Sequence, residues 1–124
     1  SSDVGKYFNR ETGILDPEMY DYNSLMGVDF KMDKKARILT RQSGSSHAMT
    51  LVGVDTDAND QPLKWEFENS WGPSTGHNGY LTFTDKWFDE YIFRIVIHKK
   101  YLSDKAINSL DQKPTQLPVW DYMF

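Results

Sequence analysis

The stretch Leu63-Lys64-Trp65-Glu66-Phe67-Glu68 alternates apolar and charged residues without a fault. Only an extended strand puts Leu63, Trp65 and Phe67 on one face and the three charges on the other, so a half-exposed antiparallel strand is predicted. Asn69 then falls on the apolar face. Upstream, Met49-Thr50-Leu51-Val52-Gly53-Val54 is a continuous apolar run, the pattern of a strand buried on both faces. The segment from Thr56 to Pro62 makes a hairpin of the two, with its turn near Ala58-Asn59. Tyr80-Leu81-Thr82-Phe83-Thr84 reads as a third strand and Tyr91 to His98, apolar on both faces, as a fourth. Asp85 to Glu90 between them reads as a single helical turn.

Residues 1–46 read as a helical and loop-rich lead-in. Asp16 before Pro17 has the form of an N-cap with proline at the first helical position, and Met19, Tyr20, Tyr22, Leu25 and Met26 recur at helical spacing up to Gly27. A second helix is expected after Asp33, carrying Ala36, Ile38 and Leu39 and ending before Ser43-Gly44. Beyond Lys100 the chain turns polar, and 101–124 reads as an extended tail with Pro114, Pro118 and an aromatic finish. The fold class is therefore α+β: a lead-in, an antiparallel β-rich half-domain over 47–100, and a tail, one domain in total. At 124 residues, 39% apolar and 15% aromatic, the chain can bury one core but not two.

Composition removes several function classes. With no cysteine, there is no disulfide framework, thiolate metal site, iron–sulfur cluster or cysteine nucleophile in this chain. A net charge of −4 without a long basic run argues against nucleic acid or an anionic membrane as partner. No apolar stretch approaches a membrane span, and a reducing, intracellular setting is expected.

Two polar residues stand where a core strand should have none. His47 opens the first expected strand, and Asn69 closes the second on its buried face. With the turn near Ala58, the two lie opposite each other across the hairpin, within cross-strand reach. Either residue alone reads as structural; together they form a recognisable chemical unit. An amide oxygen accepting an imidazole N–H fixes the ring's tautomer and leaves its other nitrogen to take a proton from a nucleophile. Trp71 is placed to cover that hydrogen bond and lower the local dielectric, and Gly72 to let the chain turn closely past the ring.

Other motifs read as structural. Asp55, Asp57, Asn59 and Glu66 imitate a calcium loop, but Asp60 stands where glycine is needed and Glu66 lies in a strand, so a hairpin turn is favoured. His77 reads as a surface residue and His98 as a strand end, neither with ligand-spaced neighbours. No metal or other cofactor is proposed. Trp87, Phe88, Tyr91 and Phe93 read as core or subunit interface.

Ser46-His47-Ala48-Met49 and Glu68-Asn69-Ser70-Trp71-Gly72 with Gly79-Tyr80 resemble the histidine and asparagine segments of papain-like cysteine peptidases. Asp3-Val4-Gly5-Lys6, Thr12-Gly13-Ile14-Leu15, Tyr20-Asp21-Tyr22, Gly53-Val54-Asp55, Trp87-Phe88-Asp89-Glu90-Tyr91 and Leu117-Pro118 with Trp120-Asp121 resemble its bleomycin hydrolase and aminopeptidase C branch. The resemblance implies the C-terminal, β-rich half of the papain-like fold. His47 would be the general base and acid of a Cys–His–Asn triad, Asn69 its orienting partner and Trp71 its shield, with Ser70 and Gly72 holding the loop. In such enzymes the cysteine precedes the histidine by about 130–150 residues, and only 46 residues precede His47. The nucleophile is therefore expected on an N-terminal part, with this chain inactive alone. A peptide substrate, a cytoplasmic setting and a homo-oligomer, commonly a hexamer, are implied. Relatives acting as aminopeptidases lay their chain end into the cleft; the bulky Tyr122-Met123-Phe124 departs from their pattern, which makes an endopeptidase of the same branch the rival. A non-catalytic binding or assembly module is the alternative from another class.

Overall fold

The computed structural model describes residues 1–123; the last residue of the aromatic finish, Phe124, lies outside the described residues. The architecture is α+β. Five strands, β1 (Phe8–Asn9), β2 (Ile14–Leu15), β3 (Thr50–Thr56), β4 (Pro62–Glu68) and β5 (Tyr80–Thr84), form one sheet in the order β1-β2-β5-β4-β3. The β3/β4 and β4/β5 pairs are antiparallel as expected, but β2 runs parallel to β5, with Leu15 opposite Phe83. The sheet is thus mixed, not purely antiparallel, and the supposed helical lead-in supplies two of its strands. Each is two residues long, too short for a period to show.

Helix α1 spans Tyr22–Met26, later than expected. Asp16 and Pro17 instead open a turn, in which the Asp16 carboxylate accepts the Glu18 N–H at 2.9 Å. The N-cap is Asp21, whose carboxylate accepts from Ser24, and Gly27 ends the helix at φ +68°. Helix α2, Lys34–Leu39, begins after its cap Asp33 as the sequence indicates. Helix α3 covers Asp85–Tyr91 behind Thr84.

The core lies between α3 and the β2-β5-β4 part of the sheet. Leu15, Leu81, Phe83 and Trp87 are fully buried, joined by Val4, Phe67, Tyr91 and Ile92. The rings of Phe67 and Phe83 stack at 4.4 Å, and Trp87 stacks on Tyr91 at 5.1 Å. Two apolar stretches escape this core. The β3 run is not buried on both faces: Leu51, Val52 and Val54 are 46%, 46% and 51% exposed, because β3 is the sheet's edge and α3 lies over its far side. The fourth strand, expected over Tyr91–His98, does not form. Tyr91 ends α3, Ile92 makes an isolated bridge to Ser2, and Ile95, Val96 and Ile97 lie exposed without a strand partner among the described residues. The tail is not extended throughout either, since α4 (Asp104–Leu110) forms behind its cap Ser103. Among the described residues no helix is long and apolar enough to cross a membrane.

Candidate active site

His47 does not open β3, which starts three residues later. Its backbone is held by the N-terminus instead. Ser2 donates its N–H to the His47 carbonyl at 2.8 Å, and the His47 N–H donates to the Ser2 carbonyl at 3.1 Å. Ser2 is fully buried, and Asp3 and Phe93 tie the same segment to the end of α3 and the chain beyond it. Nothing in the composition of Ser1-Ser2 signals this role; only the pairing reveals it.

Asn69 follows directly on β4, with its backbone N–H donating to the Gly79 carbonyl at 3.0 Å. The β3/β4 register pairs Thr50 with Glu68, Leu51 with Phe67 and, past a bulge, Gly53 with Glu66. The turn centres on Asn59, inside the expected segment, with the Asp57 N–H donating to the Gln61 carbonyl at 2.9 Å, but this register does not set residue 47 opposite residue 69. Even so, the two polar side chains meet. His47 Nε2 lies 2.9 Å from Asn69 Oδ1. Asn69 is 8% exposed, so this contact is largely withdrawn from water.

The surrounding donors fix the chemistry of the pair. The Ser70 backbone N–H, which can only donate, points at the same Asn69 oxygen at 2.9 Å. The atom facing the imidazole is therefore oxygen, and Nε2 must carry the proton that it accepts. Nδ1 is left as the basic nitrogen of the neutral ring, and it makes no hydrogen bond among the described residues. Asn69 Nδ2 is buried and has no partner among the described residues, a condition that costs about 1–3 kcal/mol while it lasts.

Trp71 lies against the pair, its ring 4.8 Å from that of His47 and tilted by 33°. It is partly open to solvent. Gly72 is needed for its backbone, not for closeness to the ring: φ is +82°, and a Cβ there would meet nothing within 4 Å.

The secondary candidates fall out as structural. The Asp57 carboxylate accepts the N–H groups of Asn59 and Gln61 at 2.8 and 2.9 Å, which makes the calcium-like motif a turn, and Asp55 pairs with Lys64 at 3.1 Å. His77 is exposed, and His98 caps the short 3-10 helix Lys99–Tyr101. Among the described residues no group of three or more side chains is arranged to hold a metal. Trp87 and Tyr91 belong to the core, with the Trp87 indole N–H donating to the Lys6 carbonyl at 2.8 Å. The concave surface between Tyr7, Pro17, Met32, Arg37 and Tyr91 includes neither His47 nor Asn69.

The model of the Peptidase C1-like family matches residues 1–124. Aminopeptidase E of Lactobacillus helveticus is 45% identical over 120 residues, covering 97% of this chain and 27% of that protein. Bleomycin hydrolase of Mus musculus is 42% identical over 124 residues, with 98% and 27% coverage. Aminopeptidase C of Streptococcus thermophilus is 40% identical over 122 residues, again at 98% and 27%. The crystal structure of pepW from Lactobacillus rhamnosis HN001 superposes with a TM-score of 0.87 at 42% identity, covering 98% of this chain and 28% of that one. The chain thus spans about 27% of the length of the curated relatives it matches.

Proposed function

The chain belongs to the Peptidase C1-like family, and we propose that it is the C-terminal part of a cysteine aminopeptidase of the bleomycin hydrolase type, supplying the histidine and asparagine of a Cys–His–Asn triad. The observation that carries this reading is the 2.9 Å contact between His47 Nε2 and Asn69 Oδ1, oriented by the Ser70 N–H. It leaves Nδ1 free to act as the base. The cysteine comes from the N-terminal part of the same protein, because this chain has none.

In the assembled site, His47 Nδ1 takes the thiol proton, and the thiolate attacks the peptide carbonyl. The imidazolium then gives its proton to the leaving amine, and the same nitrogen takes a proton from an incoming water that attacks the thioester, breaking the C–S bond to release the acid and returning that proton to the sulfur. Asn69 suits this cycle better than a carboxylate would, since a neutral acceptor orients the ring without pairing its charge away from the thiolate. Trp71 keeps water from the Nε2–Oδ1 hydrogen bond, which strengthens it. The buried Asn69 Nδ2 takes an acceptor from the rest of the protein. The exposed apolar residues of β3 and of 95–97 give that remainder its contact surface. A cytoplasmic setting and a homo-oligomeric assembly, a hexamer by likeness to the branch, complete the reading.

The test uses the intact protein. Wild type should hydrolyse a free-amino peptide amide in a thiol-reagent-sensitive reaction, and His47→Ala should lower kcat by about a thousandfold or more. Thiol-insensitive hydrolysis, or full activity in His47→Ala, rejects the triad. Preference for the same substrate with its amino group blocked assigns the endopeptidase instead. This chain alone should show no hydrolysis.

A further inference from the structure

Sixty residues before Trp71, the β1–β2 connection is built as a rigid turn. The Asn9 carboxamide oxygen accepts the N–H groups of Glu11 and Thr12 at 3.0 and 3.1 Å, and the Gly13 N–H donates to the Asn9 carbonyl at 2.9 Å. This turn is locked onto the loop that follows Trp71. The Gly76 N–H donates to the Arg10 carbonyl at 3.3 Å. A Cβ on Gly13 would lie 2.6 Å from Gly76 Cα, so the two backbones meet where only glycine fits.

The same turn projects two side chains onto the indole. The Phe8 ring lies 6.1 Å from Trp71, tilted by 36°. The Arg10 guanidinium carbon lies 5.5 Å from the Phe8 ring centre and 5.6 Å from that of Trp71, within cation–π range of both. The Trp71 indole N–H makes no hydrogen bond among the described residues, unlike those of Trp65 and Trp87. The orientation of Trp71 therefore rests on its ring contacts, tilted against His47 and Phe8 and within cation–π range of Arg10.

We propose that Arg10 and Phe8 are positioning residues that clamp Trp71 over the His47–Asn69 hydrogen bond, so that the β1–β2 turn sets how well the base is shielded from water. The inference rests on the proposed peptidase reading. It adds a residue that acts on the base only through Trp71. Arg10 is exposed and makes no ion pair among the described residues, so its replacement removes the stack with little other disturbance.

The test is made on the intact peptidase, with two readouts. Arg10→Ala should lower kcat about two- to fivefold, the span that an exposed cation–π contact supports, with KM nearly unchanged. The His47 Nε2 proton, followed by NMR, should exchange with solvent several-fold faster. Arg10→Lys, which keeps a cation over the rings, should recover part of both effects, and Phe8→Leu should reproduce them in weaker form. In a Trp71→Ala background, Arg10→Ala should cost nothing more. Unchanged kcat and exchange in Arg10→Ala overturn the proposal, as does an equal loss in the Trp71→Ala background. Should wild type lack thiol-dependent hydrolysis, the peptidase reading fails on its own, while proton exchange still decides whether Arg10 and Phe8 shield the pair.

Discussion

The centre and the β3 flank of one sheet carry similar apolar content in opposite surroundings. On β5, Leu81 and Phe83 are fully buried, whereas Leu51, Val52 and Val54 on β3 keep about half of their surface, 46%, 46% and 51%. Residue type does not make the difference, since both stretches are rich in residues that favour strands. Cover does. Helix α3 lays Trp87, Phe88 and Tyr91 across β4 and β5, and β2 closes the other side of β5, while β3 has a neighbour on one edge only. An apolar run thus reports the burial a strand is suited to, and the burial it receives depends on what packs against it. His47 and Asn69 sit between these regimes, with the asparagine at the edge of the core and the imidazole half-buried against it.

The largest expected effect comes from the covered centre. Phe83→Ala removes a fully buried ring that stacks on Phe67 and meets Trp87 at a tilt, and should cost about 3–5 kcal/mol of unfolding free energy. Urea unfolding followed by circular dichroism measures it. A loss under about 1 kcal/mol, the level of ordinary surface changes, would break the contrast between centre and flank.

Tyr91 offers a pH version of the same test. Burial pushes its phenol from the ordinary 10.0 up to about 12, against the opposing pull of Arg37. The folded value lies above the unfolded one, so stability is fully present below pH 10 and drains away as pH rises toward about 12. The quantity to measure is the difference between wild type and Tyr91→Phe, from which contributions common to both proteins cancel. The variant should lose on the order of 2 kcal/mol less across that interval. Parallel pH curves would mean that Tyr91 is not enclosed as the core requires.

Much of this was legible in the sequence, for reasons that differ by residue. The period of Leu63 to Glu68 and the spacing of Asn69-Ser70-Trp71-Gly72 are local, and β4 and the site loop follow from them. Asp33 as a cap and Gly27 as a stop were readable on the same terms, whereas the His47–Asn69 contact was expected through a strand that His47 does not join. The two-residue strands β1 and β2 were not, because their pairing with β5 is a long-range choice without a local period. Ser2 was missed for the same reason: a small residue becomes important by pairing with His47 across the molecule. The strand expected over Tyr91–His98 failed in the opposite way, since its composition is that of a strand but Ile95, Val96 and Ile97 have no strand partner among the described residues.

Gly13 tests how firmly the sheet's β2 side is joined to the site loop. Its φ is +73°, and a Cβ would sit 2.6 Å from Gly76 Cα. Gly13→Ala should therefore cost about 1–3 kcal/mol from backbone strain alone, and push the loop bearing Gly76 away from the β1–β2 turn. The expected signature is lower stability together with a shifted Trp71 indole resonance. Loss of stability without that shift would detach the turn from the loop.

The smallest effect is expected at the uncovered flank, where it sharpens the comparison most. Val54 lies opposite Trp65 in the β3/β4 ladder, yet 51% of its surface stays open. Val54→Thr keeps the β-branched shape, and with it the strand preference, while exchanging a methyl for a hydroxyl that can reach water. In this chain the change should stay within about 0.5 kcal/mol, as for surface positions generally. In the intact peptidase the proposed contact surface would bury the same residue, and the hydroxyl would then lose its water, at a cost of about 1–3 kcal/mol without a new partner. Equal small effects in both would leave β3 a true edge, and a large effect in the chain alone would show that its flank is already covered.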